Sequence, residues 1–350
     1  MVLVALLGTL QTRADLQAET HRFVPTAFHA APATSHPPAA RIRSGDRVVT
    51  STSAPDGAPF TGPFLVQDAE PGDLLVVTFE TIEPAAATGY SAVALAPNAL
   101  EPGALQGGPR PAPLAWAIDS AKGVVRLDLA TIVSPTVLRE RFASPTLELP
   151  MRPMLGSVAL ASPARSGPDA AALGPSGGYL AYTGVTAGTR VMLRVDAPGA
   201  LLYLGHGQAR RGDGGLTGTG IATPMRVEFG VELVKKREWP HSSVARPSTV
   251  VGEFEQAWPR LETADAVSTV AAAPTLQQAL QRATLELHHW LDDDFGLSEQ
   301  SVTLLLGQVL EIEVADAGGQ TATVVTRVRK AYLPKAAPAP APAAGPAGTR

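Results

Sequence analysis

The chain has 350 residues, 45% of them hydrophobic and 17% charged, with a formal net charge of −4 and no cysteine. That length can bury the core of one large domain or of two to three small ones. The weak negative balance excludes a basic nucleic-acid surface, and the missing cysteines exclude disulfides, thiolate zinc sites and a cysteine nucleophile.

After Met1 an apolar run extends to Leu10. It is too short to span a bilayer and suits the hydrophobic region of a signal peptide. Residues 1–20 are expected to be a leader remnant or disordered, and an exported location is favoured over the cytoplasm. No other segment reads as a membrane span. Strands are expected at residues 46–52 and 73–82, which are rich in β-branched residues and bounded by Gly-Asp and Pro-Gly-Asp turns. Residues 85–113 are Ala/Pro/Gly-rich and read as a surface excursion, residues 124–129 alternate like a strand, and residues 162–178 read as loop.

Residues 190–195 and 200–204, joined by Asp196-Ala197-Pro198-Gly199, read as a hairpin leading into a glycine-rich segment at residues 205–222. Glycine adopts dihedrals closed to other residues, so this segment reads as a site-building loop or as a structural turn cluster. Val227, Phe229, Val231 and Leu233 alternate on one face of a strand at residues 225–233. The capping pair Thr275 and Gln278 opens a helix carried by Leu276, Leu280, Ala283, Leu287, Trp290 and Leu291 and stopped by Gly296. Ser298 caps a shorter helix through Leu306, residues 321–328 form a closing strand, and residues 335–350 are a polyproline-like tail. The fold class is mainly β with a smaller α+β C-terminal part. Its units are an N-terminal β domain at 21–150, a β domain with the glycine-rich loop at 151–235, and the α+β part at 236–334.

Four constellations bear on chemistry. His288 and His289 point about 100° apart on a helix and cannot chelate one metal well; Asp292, Asp293 and Asp294 read as a solvated helix end. His241-Ser242-Ser243 has no strained elbow around its serines and reads as chance proximity. His36, followed by Pro37 and Pro38, is a ligand, a base or a structural histidine. Asp213, between Gly212 and Gly214, is the one carboxylate of the glycine-rich segment and reads as a base, a ligand or an Asx-turn former.

Gly62-Pro63-Phe64-Leu65-Val66, Ala69-Glu70-Pro71-Gly72-Asp73 and Leu75 resemble the signature of the acetamidase/formamidase family, preceded by Gly45-Asp46-Arg47-Val48-Val49. Pro198-Gly199-Ala200-Leu201-Leu202, the glycine-rich segment, Val231-Glu232-Leu233 and Trp258-Pro259-Arg260 continue the match in order. Asp294-Phe295-Gly296-Leu297-Ser298 and Leu305-Leu306-Gly307 complete it, so the resemblance runs over residues 21–334. It implies a β-sandwich or barrel with an α+β C-terminal part, a homo-oligomer, and hydrolysis of the carbon–nitrogen bond of small linear amides.

The chain departs from that family's polar pattern. His206 stands where Asp is expected, Gln208 where His is, Arg211 where Gln is, Gly215 where Glu is, and Ala222 where a second Glu is common. The expected Gly-Gly-Asn-Met-Asp is Gly177-Gly178-Tyr179-Leu180-Ala181, and an expected downstream Asp falls in Gly318-Gly319-Gln320. Amide hydrolysis needs a base or metal to activate water and donors for the oxyanion, and each lost acid or base costs about 10²–10⁴-fold. Two readings follow: an amidase working through Asp213 and His206, or an inactive relative serving as a binding or scaffold protein. The pocket would be lined by His36, Gln208, Arg211, Gly215, Gly178 and Ala181 and would take a small amide or another small molecule. No cofactor and no metal ligand set is assigned, a divalent metal being the alternative.

Overall fold

The structure is a computed structural model and describes residues 18–53, 58–101, 112–132, 144–238 and 257–334. The chain opens with β1 (Thr20–Arg22), β2 (Ala40–Ile42), β3 (Arg47–Ser51), β4 (Phe60–Val66), β5 (Leu74–Pro84) and β6 (Thr88–Ser91). There follow β7 (Leu114–Asp119), β8 (Val124–Asp128), β9 (Thr146–Pro150), β10 (Met154–Leu160), the short helix α1 (Pro168–Ala171), β11 (Gly177–Tyr179) and β12 (Arg190–Arg194). The second half holds β13 (Leu202–Arg210), β14 (Ile221–Ala222), β15 (Met225–Val234), β16 (Arg260–Glu262) and β17 (Ala266–Ala273). The helices α2 (Leu276–Phe295) and α3 (Glu299–Val309) precede β18 (Glu311–Asp316) and β19 (Ala322–Arg329). The molecule is mainly β with a small helical part near the C-terminus, as the strand patterns along the sequence imply.

One sheet runs β1-β3-β15-β5-β12-β16-β17-β19-β18. The other runs β11-β10-β13-β14-β6-β7-β8-β9, with β4 paired to β13 and β2 to β4. Both are mixed: β1–β3 and β2–β4 are parallel, and the remaining pairs are antiparallel. Leu75, Val77 and Phe79 of β5 enter the inter-sheet core with Leu155, Val158, Leu202 and Leu204 of the facing sheet. Leu74 and Val76 point the other way, into a second core under Leu287, Trp290 and Leu291 of α2. A strand covered on both faces has no solvated side to mark with polar residues, hence the unbroken run Leu74-Leu75-Val76-Val77.

The α2 helix begins and ends where expected. Thr275 accepts from the Gln278 N–H at 3.2 Å, and Gly296 closes it in the left-handed conformation at φ +62°. Small residues let it settle on β17: Ala279 and Ala283 are fully buried, and Thr269 Oγ1 donates to the Ala283 carbonyl at 2.6 Å. Ser298 caps α3, which runs past Leu306 to Val309.

Three expectations change. The stretches at 190–195 and 200–204 are not a hairpin: β12 belongs to one sheet and β13 to the other, and the turn at 196–199 carries the chain between them. The glycine-rich segment is strand as far as Arg210, because β10 pairs with Gly205, Gly207 and Gln208. The excursion at 85–113 contains β6, whose Tyr90 pairs with Ala222. Of residues 1–20, residues 1–17 lie outside the described residues, as do His241-Ser242-Ser243 and the tail from residue 335, while β1 begins at Thr20. No helix among the described residues is long and apolar enough to cross a membrane.

A buried ion pair fixes α2 to the sheet. Arg260 Nε donates to Glu286 Oε1 at 2.6 Å, with side chains 2% and 3% exposed, and the Trp258 N–H donates to Glu286 Oε2 at 3.2 Å. Glu286 is the close counter-charge of a buried guanidinium whose Nη1 reaches Asp294 Oδ2 at 3.7 Å, so removing it leaves that cation with longer-range compensation in the interior. Glu286→Ala should therefore lower unfolding stability by about 3–5 kcal/mol, read by urea titration. A loss below about 1 kcal/mol, the scale of exposed pairs, would show that the pair does not anchor the helix.

Candidate functional site

The candidate residues other than His36 converge where β13 meets β10, β11 and the end of β18. His206 sits at φ +54°, a left-handed conformation that His adopts more readily than most residues. Its Nδ1 pairs with Ser157 Oγ on β10 at 2.8 Å, and its ring packs on Tyr179 (4.8 Å between centroids) and Phe60 (5.5 Å). Gly156 makes this approach possible, since a Cβ there would lie 2.9 Å from both His206 Cβ and the Tyr179 ring. Burial, reinforced by the Arg211 charge, lowers the His206 pKa from 6.5 to about 4, so the imidazole is neutral through physiological pH.

Gln208 is buried, and its Oε1 accepts from the Gly220 N–H at 3.0 Å, which folds the segment back on its own strand. Arg211 follows, its side chain 1% exposed. It donates through Nη2 to Asp316 Oδ2 at 2.8 Å and through Nη1 to the Tyr179 hydroxyl at 2.6 Å. Burial raises the Tyr179 pKa although Arg211 pulls it down. Gly215, at φ +56°, faces this pair, and a Cβ there would overlap Arg211 Nη2 and lie 2.9 Å from Asp316 Oδ2. The space that a glutamate at 215 would need is thus filled by the guanidinium.

Gly178 and Ala181 form the adjoining wall. Gly178, at φ +136°, lies so close to Ala172 that a side chain would overlap that residue's carbonyl oxygen. Ala181 is fully buried, at φ +53°, and offers only a methyl group. His36 is set apart from the segment. Its Nδ1 pairs with the Tyr203 hydroxyl at 2.9 Å and its ring stacks on His29 at 3.9 Å. The Phe60 ring contacts both Tyr203 and His206 and separates the two histidine groups. Burial and the neighbouring His29 lower the His36 pKa, and burial pushes Tyr203 up to about 12.

Asp213 lies at the solvent side, in a short turn (Asp213–Gly215) after the strand. Its Oδ1 accepts from Thr183 Oγ1 at 3.1 Å, and the same hydroxyl lies 3.4 Å from Glu313 Oε1 on β18. Burial, with the adjacent Asp213 charge, raises the Glu313 pKa against the pull of Arg327. Two carboxylates thus meet around one hydroxyl: Asp213 is legible in the sequence, whereas Glu313, Thr183, Ser157 and Asp316 carry no motif there. Among the described residues no group of three or more His, Asp or Glu is arranged to hold a metal ion.

No protein-family model matches the chain, and no curated protein matches its sequence. Its structure is similar to an acetamidase from Yersinia enterocolitica, with a TM-score of 0.71, 21% identity and coverage of 92% of this chain and 95% of that one. It is also similar to an acetamidase from Bacillus halodurans (0.69, 24%, 89% and 98%). A predicted acetamidase/formamidase from Thermoanaerobacter tengcongensis gives 0.67, 22%, 89% and 96%. The chain has the acetamidase/formamidase fold.

Two measurements probe this geometry. Between pH 6.5 and about 4 the unfolded chain binds a proton at residue 206 that the folded chain does not, so stability rises with pH across that window. His206→Asn, which also tolerates φ > 0, should flatten the slope of urea stability against pH there; an unchanged slope would show that His206 is charged in the fold. Gly215→Ala should destabilise by more than the roughly 1–2 kcal/mol of its left-handed backbone, because its methyl group displaces the Arg211–Asp316 pair. Thermal unfolding at wild-type temperature would refute the crowding.

Proposed function

We propose that this chain is a member of the acetamidase/formamidase family in which hydrolysis of small linear amides has been lost, the scaffold being retained to bind a small molecule. The fold shared over about nine-tenths of the chain supports the family, together with the ordered motifs from Gly45 to Gly307. The observation that carries the loss is the buried Arg211–Asp316 pair in the space facing Gly215. A cation held there repels a positively charged base and leaves no room for a carboxylate to activate water. His206 is a weak base with its Nδ1 committed to a buried serine. Ala181, Gly215 and Ala222 supply no ligand, so no resident metal is part of this reading.

A second reading rests on the pair Asp213–Glu313. Burial and the neighbouring Asp213 raise the Glu313 pKa, which suits Glu313 to the acid role and leaves Asp213 the role of base. In this reading the amidase activity has moved to the solvent side of Thr183, with Asp213 as base and Glu313 as acid.

Ammonia release from formamide and acetamide separates the two. The purified wild-type protein is expected to show no turnover, and elemental analysis no stoichiometric zinc. Turnover at ordinary enzyme rates, roughly 1–10³ s⁻¹, abolished by Glu313→Gln and by Asp213→Asn, would establish the second reading and discard the first.

A further inference from the structure

A cavity of 520 Å³ opens between the segment after β10, the turn after β12, the approach to β16 and the α2 helix. Three guanidinium groups line it, those of Arg165, Arg194 and Arg282, against one carboxylate, Asp196. Arg194 is matched: its Nε and Nη2 both donate to Asp196 Oδ1, at 3.2 and 3.0 Å. Arg282 lies over the Trp258 ring at 5.5 Å and donates to the Ala272 carbonyl at 2.8 Å.

Arg165 is different. Its Nη1 donates to the Gly177 carbonyl at 3.4 Å, and its Nη2 donates to the carbonyls of Asp169 and of Ala172, the latter at 2.5 Å. Among the described residues no carboxylate lies within ion-pair distance of it. Gly174 closes the chain around this group: a Cβ there would overlap Arg165 Nη1, and Gly174 and Gly177 exchange backbone hydrogen bonds at 2.9 and 3.0 Å. Neutral carbonyls thus fix the orientation of the guanidinium without cancelling its charge. The ordering cost of presenting it to an anion is met before any ligand arrives.

We propose that this cavity binds a small organic anion, a carboxylate or a phosphate monoester, whose charged end meets Arg165 and Arg282 and whose apolar part lies against Trp258 and Leu173. The volume lies within the range of small-molecule sites, where apolar walls and a few convergent polar groups set affinity and orientation. Planar guanidiniums match the paired oxygens of either anion, whereas a neutral amide offers them one oxygen and no charge.

The test is calorimetric titration of the full chain with benzoate, phenyl phosphate and inorganic phosphate, with benzamide as the neutral isostere. Ala164→Glu adds a negative charge at an exposed lining position without removing any group that holds the fold, and Ala164→Ser controls for the site. The anions are expected to bind, and benzamide to bind at least about tenfold more weakly. Ala164→Glu and Arg282→Gln should each weaken anion binding by about tenfold or more, with Ala164→Ser at wild-type strength. Phenyl phosphate tighter than benzoate marks a phosphate monoester as the ligand class, and the reverse order marks a carboxylate. Benzamide equal to benzoate, anion binding unchanged in Ala164→Glu, or no anion binding at about 10 mM would each overturn the proposal.

Discussion

The guanidinium of Arg211 ties together three stretches of chain that are remote in sequence: the glycine-rich segment, Tyr179 of β11 and Asp316 at the end of β18. A charge held so far from water persists only while its partner is present, and loss of one member of such a pair costs about 3–5 kcal/mol. The surrounding backbone conforms to it. The Ala317 N–H donates to the Gly214 carbonyl at 2.8 Å and the Gly218 N–H to the Gly215 carbonyl at 2.7 Å, wrapping the segment around the ion pair. Arg211 Nε remains without a hydrogen-bond partner. That deficit, about 1–3 kcal/mol for a buried donor, is borne because the other nitrogens are well satisfied. Glycine at 215 is the steric condition of the whole arrangement.

The parts of the fold legible in the sequence carry their own local signals. Thr275, Gly296 and Ser298 bound their helices by hydrogen bonds and backbone conformation that involve only neighbours, and β15 alternates because one of its faces is less covered. The strands β10 and β17 are buried at every residue, so neither shows alternation, and the four alanines of β17 lack a strong strand preference. The turn at 196–199 looks locally like a hairpin turn. Whether the chain re-enters the same sheet or crosses to the opposite one is decided by partners such as Val76 for Met192 and Leu155 for Gly207, far away in sequence. The same distance hid the site. Thr183 meets residues 30 and 130 positions away, and Arg211 meets one 105 positions away. A faint signal for Glu313 was present: Glu311 and Glu313 alternate on one strand as Arg327 and Arg329 do on its neighbour, a cross-strand charge match.

Ala181 at φ +53° and His206 at φ +54° both occupy the left-handed region, where Asp and Asn are at home because their short polar groups bond locally. The resemblance to the acetamidase/formamidase pattern places an Asp at each of these two positions. Alanine has no side-chain hydrogen bond to offset the roughly 1–2 kcal/mol of that conformation, so its presence at 181 follows neither from local preference nor from chemistry. The packing over-determines the fold there: the Ala181 N–H donates to the Gly156 carbonyl at 3.1 Å, and Tyr179 and His206 close over Gly156. The interior of the segment is held by the ring contact of His206 with Tyr179 and by the Arg211–Asp316 ion pair. Asp213 and Glu313 lie on the solvent side of Thr183, on either side of its hydroxyl. Burial and the neighbouring Asp213 raise the Glu313 pKa there, so the carboxyl that holds its proton more firmly is the one that lies further from water.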